Sequence, residues 1–290
     1  ETYPTQKTGN LMPAWISLFA ILAAAFLLGW LIACQFIAKR PFSATPLEFG
    51  FAALTIGIIT IGWLAFVLAE IGQFSIFALF LLWAGVSLVL LWRLRHRKVS
   101  LRPVFASIAS KRLFSFLPDW VEYAALGIWL ITAVFLFLRP HQFITGGADA
   151  GVYVNLGANI AQTGRILIQD NVLASLPTDL YPAFLRPLSN NVAPNYIFPA
   201  FFVMGEPIGE ITPQFYHLHS VWMAVASALG NGLPDSVQAE LLLPGLWGVL
   251  ASLAIYLTVR RIAGWETSLI ALAGLTLNAL QLWFTRYPTT

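Results

Sequence analysis

Long apolar runs separated by short polar interruptions dominate this chain. Runs of about 18–25 apolar residues occupy 13–37, 47–69, 73–92, 121–138, 237–259 and 267–284. Each is long enough to cross a hydrocarbon core of roughly 30 Å as an α-helix. The pattern predicts an all-α integral membrane protein with about six transmembrane helices plus an external loop with interfacial helices. The run at 13–37 is too long for a signal-peptide core and lacks a small-residue cleavage signature, so it reads as a retained span. A further segment at 214–230, QFYHLHSVWMAVASALG, is shorter and opens with two histidines.

Basic residues orient these spans. The loop 93–119 holds seven Lys/Arg against one Asp, and Lys39-Arg40 and Arg260-Arg261 are the other basic pairs. The positive-inside rule places all three in the cytoplasm. Helix 121–138 then runs outward, and 139–236 is extracytoplasmic. If 214–230 crossed the membrane, Arg260-Arg261 would end outside, against the rule. Placed along the outer interface, with Trp222 and Tyr216 among the headgroups, it returns the arginine pair to the cytoplasm. The interfacial placement is therefore expected, with a seventh span as the alternative.

Composition agrees: 58% of residues are hydrophobic and 10% charged, against roughly a quarter charged in soluble domains. The protein is expected in the plasma (inner) membrane with the lipid bilayer as its surroundings. Basic residues beside spans are accounted for by topology, so no nucleic acid is expected as a partner. The single cysteine, Cys34, lies within the first run, where a free thiol behaves as a small hydrophobe. Three parts are expected: an N-terminal three-helix membrane unit at 1–92, a basic cytoplasmic loop at 93–119, and a core at 120–290. The core comprises one span, the external loop 139–236 and two further spans. The abrupt start and end predict a piece of a longer protein.

Polar chemistry gathers in the external loop. Glu48 and Glu70 stand at the ends of the second run and Glu122 at the start of the fourth, none needing burial. Carboxylates and histidines in mid-span, the mark of a proton or ion pathway, are not evident. Asp149 follows Gly146-Gly147 in GGADAG, which lacks the Lys-Ser/Thr of a phosphate loop. Two roles are open to Asp149: general base toward an acceptor hydroxyl, or cap of a helix over 150–162. His217 and His219, two apart, point to different sides of a helix, so no shared metal is expected. No cofactor is established by the sequence, and a divalent metal stays open without support. Asp170 and Asp179 read as turn residues, and Arg286 as an interfacial anchor beside Trp283 and Tyr287 or as a phosphate partner.

The segments ADAGVYVNLGANIAQTGRILIQD, FYHLHSVWMAVASALG and LLLPGLWGVLASLAIYLTVRRIAGWETSLIALAGLTLNALQLWFTRYPTT, in this order over 121–290, resemble the start of GT-C glycosyltransferases, the membrane superfamily of protein mannosyltransferases and aminoarabinose transferases. The resemblance implies transfer of a sugar from a polyprenyl-phosphate donor to an acceptor on the outer side. It implies Asp149 as the base, Arg286 against the lipid phosphate, and Tyr153, Asn155 and His217 along the groove. Two positions depart from the pattern: Ala150 stands where many relatives carry a second acid, and Phe215-Tyr216-His217-Leu218 replaces a proline-containing helix start. The first departure weakens a metal-dependent reading. Two rivals accompany this expectation: a non-catalytic subunit or scaffold packed with membrane-complex partners, and a transporter of lipid-linked sugars.

Overall fold

A computed structural model describes residues 12–37, 45–96, 119–141, 149–188, 194–204, 208–230 and 236–288. Lys39-Arg40, residues 97–118 of the basic loop and Gly146-Gly147 lie outside these. Five helices are long and apolar enough to cross a membrane: α1 (Met12–Ile37), α2 (Pro46–Glu70), α3 (Ile76–His96), α4 (Asp119–Phe137) and, after the polar segment, the helix Ser236–Ala263. The expectation of an all-α membrane protein is met.

Helices α1 and α2 pack in close contact. Gly29 lies against the backbone of Ala53, and Gly57 against the backbone of Ala25, so the two helices are antiparallel. A side chain at either glycine would have to occupy the space of the opposing carbonyl. Small residues provide this approach where lipid tails supply no hydrophobic drive for helix association. Helix α3 runs alongside α1, with Trp83 Nε1 donating to the Ala24 carbonyl and Gln35 Nε2 to that of Leu90, both at 3.1 Å.

Between the spans lie α5 (Asp149–Thr163), α6 (Asn171–Ser175), α7 (Tyr181–Phe184) and α8 (Leu218–Leu229). The strands are β1 (Ile168–Gln169), β2 (Arg186–Pro187), β3 (Tyr196–Phe198), β4 (Phe201–Val203) and β5 (Glu210–Pro213). They form one antiparallel sheet in the order β1-β5-β4-β3-β2. It closes over buried Tyr181, Leu185, Val203 and Ile211. Asp170 acts at a turn, as expected, accepting from the Val172 and Leu173 amides at the start of α6.

After α8 come α9 (Ser236–Ala263), α10 (Trp265–Thr276) and α11 (Ala279–Phe284). The sixth expected span, 267–284, is not one helix. Asn278 adopts an extended conformation, and its side chain accepts from the Leu280 and Gln281 amides, capping α11 and ending α10 before it. The two pieces together run back along α9, from the turn at Gly264 to Thr285, which packs on Gly248 and Phe137.

Carboxylates at the starts of α2 and α4 meet the arginine pair at the end of α9, and this fixes the directions of the spans. Glu122 accepts from Arg260 Nε at 2.5 Å and Nη2 at 3.2 Å, and from the Tyr256 hydroxyl. Glu48 accepts from Arg261 Nε and from the Thr45 amide, while the Thr45 hydroxyl accepts from the Glu48 amide in a capping box. Both carboxylates are buried, contrary to the expectation that they need not be. The last turn of α3, with Arg93 and Arg95, lies at this same end, because Leu94 packs with Leu31 and Phe49.

The opposite end carries the α2–α3 turn, whose Phe74 amide donates to the Gly164 carbonyl after α5, together with α8 and the sheet. The end of α4 and the start of α9 thus share one end of the bundle, and α8 does not cross, as expected. At 12 residues it is about 18 Å long, too short for a span. It is, however, covered by protein. Residues 219–227 are buried without interruption beneath α5 and against α2 and α9. Trp222 is 5% exposed and meets Trp247 edge-on, while Tyr216 is the exposed aromatic.

Glu122→Ala strands a guanidinium only 12% exposed, a loss expected to cost about 3–5 kcal/mol. Glu48→Ala frees Arg261, which is 51% exposed, and should lower the thermal midpoint in detergent less. In a Cys34→Ser background, Val172→Cys and Arg95→Cys should react with an impermeant maleimide from opposite faces of sealed vesicles; labelling from one face would overturn the arrangement.

Candidate functional site

Helix α5 is buried on all sides over its first turn and then on one side. Residues 150–154, 156, 157 and 160 are buried, whereas Asp149 and Asn155 are exposed. Asp149 stands in the first turn, where a negative charge is favoured by the unpaired amides and the helix dipole. Its carboxylate has no hydrogen-bond or ion-pair partner among the described residues, so no first-turn amide is capped by it there. The helix includes Asp149 instead of beginning after it at 150. The carboxylate is exposed, and helix α5 is anchored beneath it.

Tyr153, one turn further, is 5% exposed. Its ring meets His219 edge-on at 5.4 Å and Phe215 at 5.4 Å, tying α5 to the start of α8. Asn155 does not join it. Two residues on, it faces the other way, and its Nδ2 donates to the Gly151 carbonyl at 2.7 Å. The structure therefore does not place Asn155 beside Tyr153 along a common groove. His217 is separated as well: its Nδ1 lies 3.5 Å from Glu70 Oε1 at the end of α2.

His219 is the buried member of the histidine pair. Burial pushes its imidazole down to about 4, and Nε2 has no hydrogen-bond partner among the described residues. The ring is consequently neutral at ordinary pH. Among the described residues no three of His, Cys, Asp or Glu gather as metal ligands.

Arg286 lies where α4 and α11 end. Its Nε donates to the Leu136 carbonyl at 2.7 Å, and its own carbonyl accepts from the His141 amide at 2.8 Å. Trp283 contacts both Tyr287 and His141, and Arg139 lies 3.6 Å above the Phe135 ring. Arg286 is thus anchored through one of its five N–H groups, and the four on its terminal nitrogens have no partner among the described residues.

Glu240, in the second turn of α9, escapes a reading based on runs of hydropathy. It is fully buried between α5, α8 and α9. The Ser227 hydroxyl faces it. The geometry nevertheless falls short of a hydrogen bond, and both carboxyl oxygens lack a partner among the described residues. Ser220 Oγ is likewise unpaired. Gly157 lets these groups approach α5: a Cβ there would stand 2.6 Å from Met223 Cβ and 3.2 Å from Glu240 Oε2. The available signal was an acid within the apolar run 237–259, which is costly in a span and marks a position for scrutiny.

Comparison of the chain with protein-family models, curated proteins and solved structures gave no match. The site therefore stands on its own geometry and on the motifs quoted above.

Because α5 is seated through Gly157, Gly157→Val should drive a branched side chain into Met223 and Glu240. An overpacking cost of about 1–3 kcal/mol is expected, read as a lower thermal midpoint. Increased protease cleavage within 149–163 should accompany it, and unchanged cleavage would contradict the seating.

Proposed function

We propose that this chain carries the acceptor-activating part of a membrane glycosyltransferase. The reaction would move a sugar from a polyprenyl-phosphate donor to an acceptor hydroxyl on the extracytoplasmic side. The observation that carries this reading is the exposed Asp149 carboxylate, without a partner among the described residues, at the start of a buttressed helix, in the segment whose order of motifs resembles the GT-C superfamily. Sidedness follows from the basic residues: Arg93, Arg95, Arg260 and Arg261 share one end of the bundle, which the positive-inside rule puts in the cytoplasm. Asp149 is then outside, as is the sheet.

In this reaction Asp149 accepts the proton of the acceptor hydroxyl as its oxygen attacks the anomeric carbon. The bond from that carbon to the phosphate oxygen breaks with inversion, and the electron pair leaves with the polyprenyl phosphate. The terminal nitrogens of Arg286 supply positive charge for that departing phosphate, a form of electrostatic stabilisation suited to a guanidinium. Tyr153 positions α5 from below. Asn155 and His217, which face away from Tyr153 and toward Glu70 respectively, retain at most peripheral roles.

A second reading, a non-catalytic subunit within a membrane complex, draws on one observation. The bond from Arg286 to the Leu136 carbonyl is the kind a purely structural anchor would make. The two readings part at Asp149. In proteoliposomes supplied with a panel of polyprenyl-phosphate sugars and hydroxyl acceptors, Asp149→Asn should reduce transfer by about 10²–10⁴-fold with the thermal midpoint unchanged. Transfer at the parental rate by Asp149→Asn would overturn the catalytic assignment. Absence of transfer by the parental protein in purified form would favour the subunit.

A further inference from the structure

Beneath α5 lies a seam rich in oxygen acceptors. Glu240 is fully buried, both its carboxyl oxygens lack a partner among the described residues, and the Ser227 hydroxyl faces the carboxyl group. The backbone adds to the imbalance. Pro244 stands inside α9, so the Glu240 carbonyl four residues earlier loses the amide that would otherwise bond to it. Across the seam, the place a Cβ would take at Gly157 is 3.2 Å from both Glu240 Oε2 and the Ser220 carbonyl oxygen, so these two oxygens border one gap. The Ser220 carbonyl, although helical, keeps a second lone pair.

No positive side chain answers this carboxylate. The described residues of α1, α5, α8 and α9, the helices packed around the seam, include no Lys or Arg before Arg260, about 30 Å further along α9. His219, the basic group of α8, is held neutral by burial. A carboxylate withdrawn from water without a counter-charge is costly. Carboxylate, hydroxyl and carbonyl oxygens are the ligands of hard cations, and helix carbonyls freed from their amides serve Na⁺ in membrane proteins. A divalent ion would leave net charge buried beside a single carboxylate, whereas a monovalent ion balances it. The gap also favours a small ion: a methyl group at Gly157 would stand only 2.6 Å from Met223 Cβ.

We propose that Glu240, with the Ser227 hydroxyl and the Ser220 carbonyl, binds a sodium ion that ties α8 to α9 beneath α5. Glu240 lies four residues, about 6 Å, from the start of α9, at the end of the bundle that carries the sheet. The ion therefore enters from that end, along the contact between α5 and α9. Its occupancy holds the seat at Gly157, and with it the helix that begins at Asp149. The site is independent of the transferase reading, because it requires only the buried carboxylate and its oxygen neighbours.

The test uses the purified full chain in nanodiscs and measures equilibrium binding of radioactive sodium. One ion per chain is expected, displaced by unlabelled Na⁺ and not by an equal concentration of K⁺. Replacing Na⁺ by choline at constant chloride should lower the thermal midpoint, as removal of a ligand of the folded state does, and raise protease cleavage within 149–163. Glu240→Gln, which keeps the shape of the side chain, should abolish sodium binding and make both readouts indifferent to Na⁺. Ser227→Ala, a smaller change that retains the carboxylate, should weaken sodium affinity by about tenfold or more. Absence of displaceable sodium in the parental chain, or parental affinity in either variant, would overturn the proposal. A midpoint that rises on acidification and ignores Na⁺ would identify a protonated carboxyl group instead, and overturn it equally. Sodium binding reads no sugar transfer, so its failure leaves the role of Asp149 untouched, and failure of that role leaves the ion site standing.

Discussion

The pairing of Glu122 with Arg260 and Tyr256, beside that of Glu48 with Arg261, is the constraint on which the arrangement depends. It joins the starts of α2 and α4 to the end of α9. An ion pair removed from water is weak evidence for net stability, because desolvation offsets much of the attraction. Its value here is in register: a helix slipped along its neighbours would leave buried carboxylates and guanidinium without partners. With α2, α4 and α9 aligned at this end, their other ends come level, and the polar segment between α4 and α9 has both its attachment points on one side.

At that other end the architecture separates an exposed carboxylate from buried polar groups. Asp149 is left exposed, while Tyr153 of α5 and, beneath that helix, His219, Ser220 and Glu240 are withdrawn from solvent. Holding α5 through a close approach at Gly157 and ring contacts at Tyr153 limits its motion, and a catalytic carboxylate benefits from such a rigid mount. The atoms of His219, Ser220 and Glu240 that lack a partner among the described residues concentrate polar cost in the same seam, which is where natural proteins tend to concentrate function.

Hydropathy alone made five of the spans legible, because a run of some twenty apolar residues has few other uses. The charge rule also anticipated that α8 returns to the side it came from. Three features were not legible. Glu48 and Glu122 looked like exposed run ends because their partners are 213 and 138 residues away. The sheet escaped because strands of two to four residues are too short to display alternation. The break at Asn278 was visible as a polar residue within an apolar run, but only its capping bonds distinguish a break from a tolerated polar position. Of the candidate site residues, Asp149 was found through its glycine-flanked setting, and the separation of Asn155 from Tyr153 follows from helical spacing.

The central claim is that Asp149 acts on the chemistry and not on the fold or on donor binding. The most direct measurement compares parental protein and Asp149→Asn in two quantities: the affinity for polyprenyl-phosphate sugar, and the single-turnover rate of transfer once it is bound. A general base predicts affinity within a few-fold and a rate at least about a hundredfold lower. A parallel fall in both, or a rate unchanged by the substitution, would contradict it.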